Sequence, residues 1–217
     1  MAKDHLLPRY LLRAAVCLCV LFGGSLLGLP FAGSGLPFAL SQDRSAHSKR
    51  LKETYTAEIG ILEATGNNDG RRVGEYLRYC GLDEGYAWCA AFVSWCHGQA
   101  GYAAPRNAWS PALFPASRTI WHAGDPWPVN GGQSVPRVGD VFGIYYTNLR
   151  RIAHVGFVDG WDGKYCITVE GNTGPPTGGA IAKDHPANPI RAGPDREGVY
   201  RKRRPIRTIK AVARWAE

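Results

Sequence analysis

No Cys-x-x-Cys and no His-x-x-x-His spacing occurs anywhere in the 217 residues, which argues against a structural zinc site. No internal repeat is visible, so the chain is not read as a repeat array. A basic cluster runs from Arg201 to Lys210, but no RNA- or DNA-binding motif accompanies it; Arg201, Arg203 and Arg207 read as solvent-facing positions. Wholesale disorder is excluded too, because 45% of the residues are hydrophobic and only 20% charged. What remains is one globular domain plus extras, with a net charge of +8 and many aromatics, seven Trp and ten Tyr, some of which suit a sugar- or peptide-binding groove.

Of the six cysteines, Cys17 and Cys19 lie in an apolar N-terminal stretch, leaving Cys80, Cys89, Cys96 and Cys166 for the domain. Cys89 and Cys96 are seven residues apart, roughly 10 Å along a helix, and so do not pair with each other. A Cys80 to Cys166 bridge stays open. Residues 1–41 have the form of an export signal or a membrane anchor: Lys3, Arg9 and Arg13 precede an uncharged run from Ala14 to Gln42. Its apolar core ends near Leu29, short of the about 20 residues a spanning helix needs. Residues 42–50 are polar and read as a linker, and residues 51–217 as the domain.

From Leu51 the pattern Leu51, Tyr55, Ile59, Leu62 is helical, and Thr65 to Gly70 breaks it. Asn67, Asn68 and Asp69 offer oxygen atoms to a calcium ion, but they are first of all turn-formers. A second helix carries Val73, Leu77 and Cys80 and stops at Gly81. A third is marked by Cys89, Phe92, Val93 and Cys96, with Asp83-Glu84-Gly85 before it and Gly101 after it. Cys89 is thus expected in the first helical turn, where unpaired N–H groups and the positive end of the helix dipole favour a thiolate. Alone, such a cysteine would be ordinary core packing.

The downstream half changes that reading. Residues from Arg137 to Tyr146, Ile152 to Asp159 and Tyr165 to Glu170 read as an antiparallel meander, because their connections are short. His154 alternates with Ile152, Gly156 and Val158 on one face, expected to be the face that packs on a helix. Glu170 and Asn172 end the third strand, within reach of His154 across the ladder. Tyr102 to Pro136, with Trp109, Trp121, Trp127 and His122, has no sustained period and reads as a groove wall or lid. Gly174 to Asp195 is a second loop, and Gly198 to Arg203 and Ile206 to Trp215 read as closing strands, the last also open to a helical reading.

Nucleophile, base and orienting group therefore follow one another in the chain. The run Trp88-Cys89-Ala90-Ala91-Phe92-Val93, then Gly139-Asp140-Val141-Phe142, His154-Val155-Gly156-Phe157-Val158 and Glu170-Gly171-Asn172-Thr173, resembles the CHAP domain of the NlpC/P60 group, over roughly Tyr55 to Thr173. The resemblance implies an α+β, papain-like fold with N-terminal helices packed on an antiparallel sheet. It implies Cys89 as nucleophile, His154 as general base and acid, Glu170 as its orienting group and Asn172 as an aid to orientation or oxyanion binding. Tyr86 and Trp88 are the expected substrate-binding aromatics, and the Cys89 N–H an oxyanion donor.

The expected function is an exported cysteine peptidase or amidase acting on peptidoglycan, in the periplasm or cell envelope. No metal or other cofactor is expected, nucleic acid is not an expected partner, and the chain is expected to be a monomer. A papain-like acyltransferase or transpeptidase would use the same pair while excluding water, and a non-catalytic envelope binding protein would have lost it. No repeated wall-binding module is visible.

Overall fold

The computed structural model describes residues 36–125, 135–176 and 196–217, with side chains in the first helix from residue 45 onward. Three α-helices come first: α1 (Leu36–Ala57), α2 (Arg71–Tyr79) and α3 (Cys89–Gln99). The polar stretch 42–50, expected to be a linker, is part of α1; its charged residues Lys49 and Arg50 are solvent-facing and tolerate a helix. The expected N-terminal signal or anchor falls almost wholly outside the described residues, among which no helix is long and apolar enough to cross a membrane.

Six strands follow: β1 (Thr119–His122), β2 (Val141–Tyr146), β3 (Arg151–Trp161), β4 (Tyr165–Thr173), β5 (Gly198–Pro205) and β6 (Ala211–Ala213). They form one antiparallel sheet in the order β1-β6-β2-β3-β4-β5, and the expected meander is its centre, β2-β3-β4. The fold is α+β. The last segment closes the sheet as a strand: a short 3-10 turn at Ile206–Thr208 separates β5 from β6. β1 lies inside what reads as a loop; with only four residues it is too short to show a period.

Two apolar clusters lie on opposite faces of the sheet. On one, Val141, Val155, Phe157 and Val169 meet Leu51 and Tyr55 of α1, Leu77 of α2 and Phe92 of α3. Tyr55 stacks on Phe157 with ring centroids 4.5 Å apart and donates its hydroxyl to Asp159 at 2.8 Å. On the other face, Phe142, Val158 and Cys166 pack with Trp121, Ile209 and Val212. The helices thus cover the face of Val155 and Phe157, not that of His154. Gly156 has no side chain to offer a helix, whereas burying a Phe contributes about 1.5–3 kcal/mol.

All four domain cysteines are free. Cys166 sits in the smaller cluster, and Cys80, the C-cap of α2, is half-buried. The Asp69 carboxylate is committed to its own turn, accepting from the Thr65 N–H at 2.9 Å and the Thr65 hydroxyl at 2.6 Å.

Candidate active site

Cys89 is the first residue of α3 and Trp88 its N-cap, with no side chain capping the helix. The first intrahelical bond runs from the Phe92 N–H to the Trp88 carbonyl at 2.8 Å. The preceding N–H groups therefore have no carbonyl within the helix and leave a positive potential around the thiol. Trp88 itself is clamped twice: its backbone N–H donates to Asn172 Oδ1 at 2.9 Å, and its ring N–H to Glu63 Oε1 at 2.8 Å. Gly171 permits this approach, since a Cβ there would stand 2.5 Å from the Trp88 ring.

The thiol meets β3 at an irregularity. Ile144 pairs with His154 and Tyr145 with Ile152, so Ala153 has no partner residue in β2. Cys89 Sγ lies 4.0 Å from the Ala153 carbonyl oxygen and 3.5 Å from Ser110 Oγ, and the His154 imidazole is near enough for its charge to act on the thiol. The other side of the imidazole is fixed: His154 Nε2 is 2.8 Å from Glu170 Oε2. With Nε2 engaged there, Nδ1 is the nitrogen left to face sulfur.

Glu170 is fully buried and every oxygen of its carboxylate is used. Arg204 grips it with both ends of the guanidinium, Nε to Oε1 and Nη2 to Oε2, each at 2.5 Å, and the Thr168 hydroxyl donates to Oε1. Burial alone would raise the Glu170 pKa, but Arg204 and then His154 hold it well below the carboxylate range. Burial would likewise depress His154, yet its bonds to Cys89 and Glu170 push it up to about 9. Burial would raise the Cys89 thiol; the bond and charge of His154 overcome that and bring it below its ordinary value. The arrangement favours a thiolate–imidazolium pair at neutral pH.

Cys89, His154 and Glu170 thus form one chain of contacts. Asn172 is not part of it. With a left-handed φ of 55°, it turns away to the Trp88 N–H, Asn68 Oδ1 at 2.9 Å and Glu197 Oε2 at 2.6 Å. Its geometry is that of a positioning residue for the loop before the nucleophile, not of a group beside the imidazole. Trp88, expected to bind substrate, is fully buried with its ring N–H engaged, while Tyr86 is 57% exposed.

Tyr86 and Cys89 line a cavity of about 460 Å³ with Asn107, Trp109 and Ser110 from the expected groove wall. Trp127, also expected there, lies outside the described residues, and Trp121 packs in the smaller cluster instead. Among the described residues no cluster of His, Cys, Asp or Glu is arranged to hold a metal ion.

Arg204, Thr168 and Ser110 were not singled out by sequence. Arg204 belongs to the basic cluster, and only the register of β5 on β4, Thr168 opposite Lys202 and Cys166 opposite Arg204, puts it on the Glu170 face. Arg201, read as solvent-facing, ion-pairs with Asp159 at 2.8 Å.

The family model of the CHAP domain matches residues 81–172, the segment holding all three contacting residues. That segment, 92 of the 217 residues, is similar to CHAP domains. No curated protein and no solved structure matches the chain. CHAP domains belong to the peptidoglycan-hydrolase, papain-like superfamily and are generally amidases or peptidases, so peptidoglycan is the substrate class this domain implies. Arg204, outside the matched segment, is contributed by the β5 strand that follows it.

Proposed function

We propose that the chain is a papain-like cysteine hydrolase that cleaves an amide bond in peptidoglycan after export to the cell envelope. The observation that carries this reading is His154 held between Cys89 on one side and the Glu170–Arg204 pair on the other.

In this reading the Cys89 thiolate attacks the amide carbonyl carbon, and the N–H groups at the start of α3 receive the oxyanion. His154, as imidazolium, gives its proton to the departing amine, so the C–N bond breaks as the thioester remains. Neutral His154 then takes a proton from water, whose oxygen attacks the thioester and releases a carboxylic acid and the restored thiolate. Glu170 holds the ring and stabilises its positive form. Arg204 holds Glu170.

The test is release of soluble fragments from purified peptidoglycan, with mass spectrometry of the products, for the wild type beside Cys89→Ala and His154→Ala. Wild type alone should release fragments, and their masses name the bond. Equal release by Cys89→Ala would end the reading, as would silence of a folded wild type on several wall types.

A further inference from the structure

The cavity beside Cys89 carries positive charge with nothing to balance it. Arg106 and Arg151 both line it, and no Asp or Glu is among its described lining residues. Elsewhere in the fold, arginines near the interior are matched: Arg72 with Glu58 and Glu75, Arg204 with Glu170, Arg214 with Asp140. Arg106 and Arg151 make no ion pair among the described residues. Each instead lies over an aromatic ring, the guanidinium carbon of Arg151 4.1 Å from the Trp109 ring centroid and that of Arg106 4.8 Å from that of Tyr79.

The ring contact and one carbonyl bond hold each guanidinium group and leave donors over. Arg151 gives one Nη1 bond to the Ile152 carbonyl at 3.1 Å, and Arg106 gives Nε to the Tyr79 carbonyl at 2.7 Å. The remaining N–H groups of each form a preset fork, the geometry that grips a carboxylate with two parallel bonds. Holding the forks before substrate arrives lowers the ordering cost of binding. Arg151 is also only two residues from Ala153, whose carbonyl lies 4.0 Å from the Cys89 sulfur, so the cationic wall adjoins the reacting centre.

We propose that Arg151 and Arg106 form a carboxylate-recognising wall that selects peptide substrates bearing a free carboxylate beside the scissile amide. The proposal rests on the reading that Cys89 cleaves a wall peptide, whose stem contains acidic residues that occur either as free carboxylates or as amides. Amidation removes the charge and replaces an acceptor oxygen by a donor, which two guanidinium forks reject.

The experiment uses the full chain and a matched pair of muropeptides, identical except that the stem carboxylates are free in one and amidated in the other. Wild type should cleave the free-acid form with a kcat/KM about tenfold or more above that of the amide. Arg151→Gln and Arg106→Gln, checked for unchanged melting temperature, should each bring the ratio towards one, and Arg151→Lys should keep part of it.

Equal rates on the two wild-type substrates would overturn the proposal while leaving hydrolysis intact. A preference that survives both Gln variants would do the same. If neither peptide is cleaved, the hydrolytic reading fails separately, and calorimetric binding to Cys89→Ala decides the wall. Tighter binding of the free-acid peptide, lost in Cys89→Ala/Arg151→Gln, supports it; equal or no binding of the two peptides overturns it.

Discussion

Among the described residues, two buried carboxylates lie under two-pronged arginines, and they differ in what lies next to them. Asp140, at the turn into β2, takes Arg214 Nε at 2.9 Å and Nη2 at 2.8 Å, with the Arg137 N–H as a further donor. Glu170 takes Arg204 in the same manner and has His154 as well. For Asp140, burial outweighs Arg214 and the pKa stays raised; for Glu170 the Arg204 bonds, joined by the histidine contact, outweigh burial and the pKa falls. One pair ties the C-terminal residues to the sheet. The other spends its charge on an imidazole that touches a thiol. A buried Arg–carboxylate fork is therefore no mark of a site by itself; the titrating neighbour is.

The strongest way to break this comparison is Glu170→Gln, which keeps the shape and removes the charge. Turnover of wall fragments should fall about 10²- to 10⁴-fold, by analogy with loss of an orienting carboxylate in other triads. The same variant sharpens the pH argument. In the wild type, kcat/KM should fall as pH rises through about 9, where His154 loses the proton owed to the leaving amine. In Glu170→Gln that alkaline limb should move down towards the ordinary histidine value, and a limb that stays put would detach Glu170 from His154.

Stability carries the same signature with opposite signs at the two groups. His154 is raised above its ordinary 6.5, so its contribution is full below that pH and lost as pH climbs through about 9. Glu170 is depressed below its ordinary 4.5, so its contribution is present above that value and lost only as pH falls far into the acid range.

Asp140→Asn is the matching control. Leaving Arg214 buried without its full charge partner should cost about 3–5 kcal/mol in chemical denaturation. The folded fraction should keep the wild-type pH profile, and a shifted limb would show that the two pairs communicate. Smaller still is Asn172→Ala, which frees the Trp88 N–H and puts alanine at a left-handed φ. A stability loss of about 1–3 kcal/mol is expected, with kcat reduced and the pH limbs unmoved. Displaced limbs would instead place Asn172 in the titrating group.

The site's backbone was legible where one local period was enough. Cys89 at a helix start, His154 on the middle strand of a meander and Glu170 on the next one all follow from spacing and short connections. Arg204 was not legible, since it arrives from a strand that begins only at Gly198, far along the sequence from Glu170, and a run of basic residues reads equally well as a solvated edge. Trp88 looked like a binding aromatic because sequence gives no sign of Glu63, which takes its ring N–H from a turn before α2. The helix-facing side of β3 was misassigned for a similar reason. Alternation fixes that two faces exist, but the choice between them depends on Phe157 and on the unpaired Ala153 that interrupts the alternation.

Glu170 and Asn172 leave the same short stretch of β4, one holding the imidazole and the other the amide just ahead of the nucleophile. A slip of β4 by a single residue would turn both to the other side of the sheet and disconnect both at once. Half-correct sheets should therefore be catalytically silent rather than slow. Enzyme activity recovered on refolding should count molecules with the right strand register, and lag behind any signal that reports only compactness.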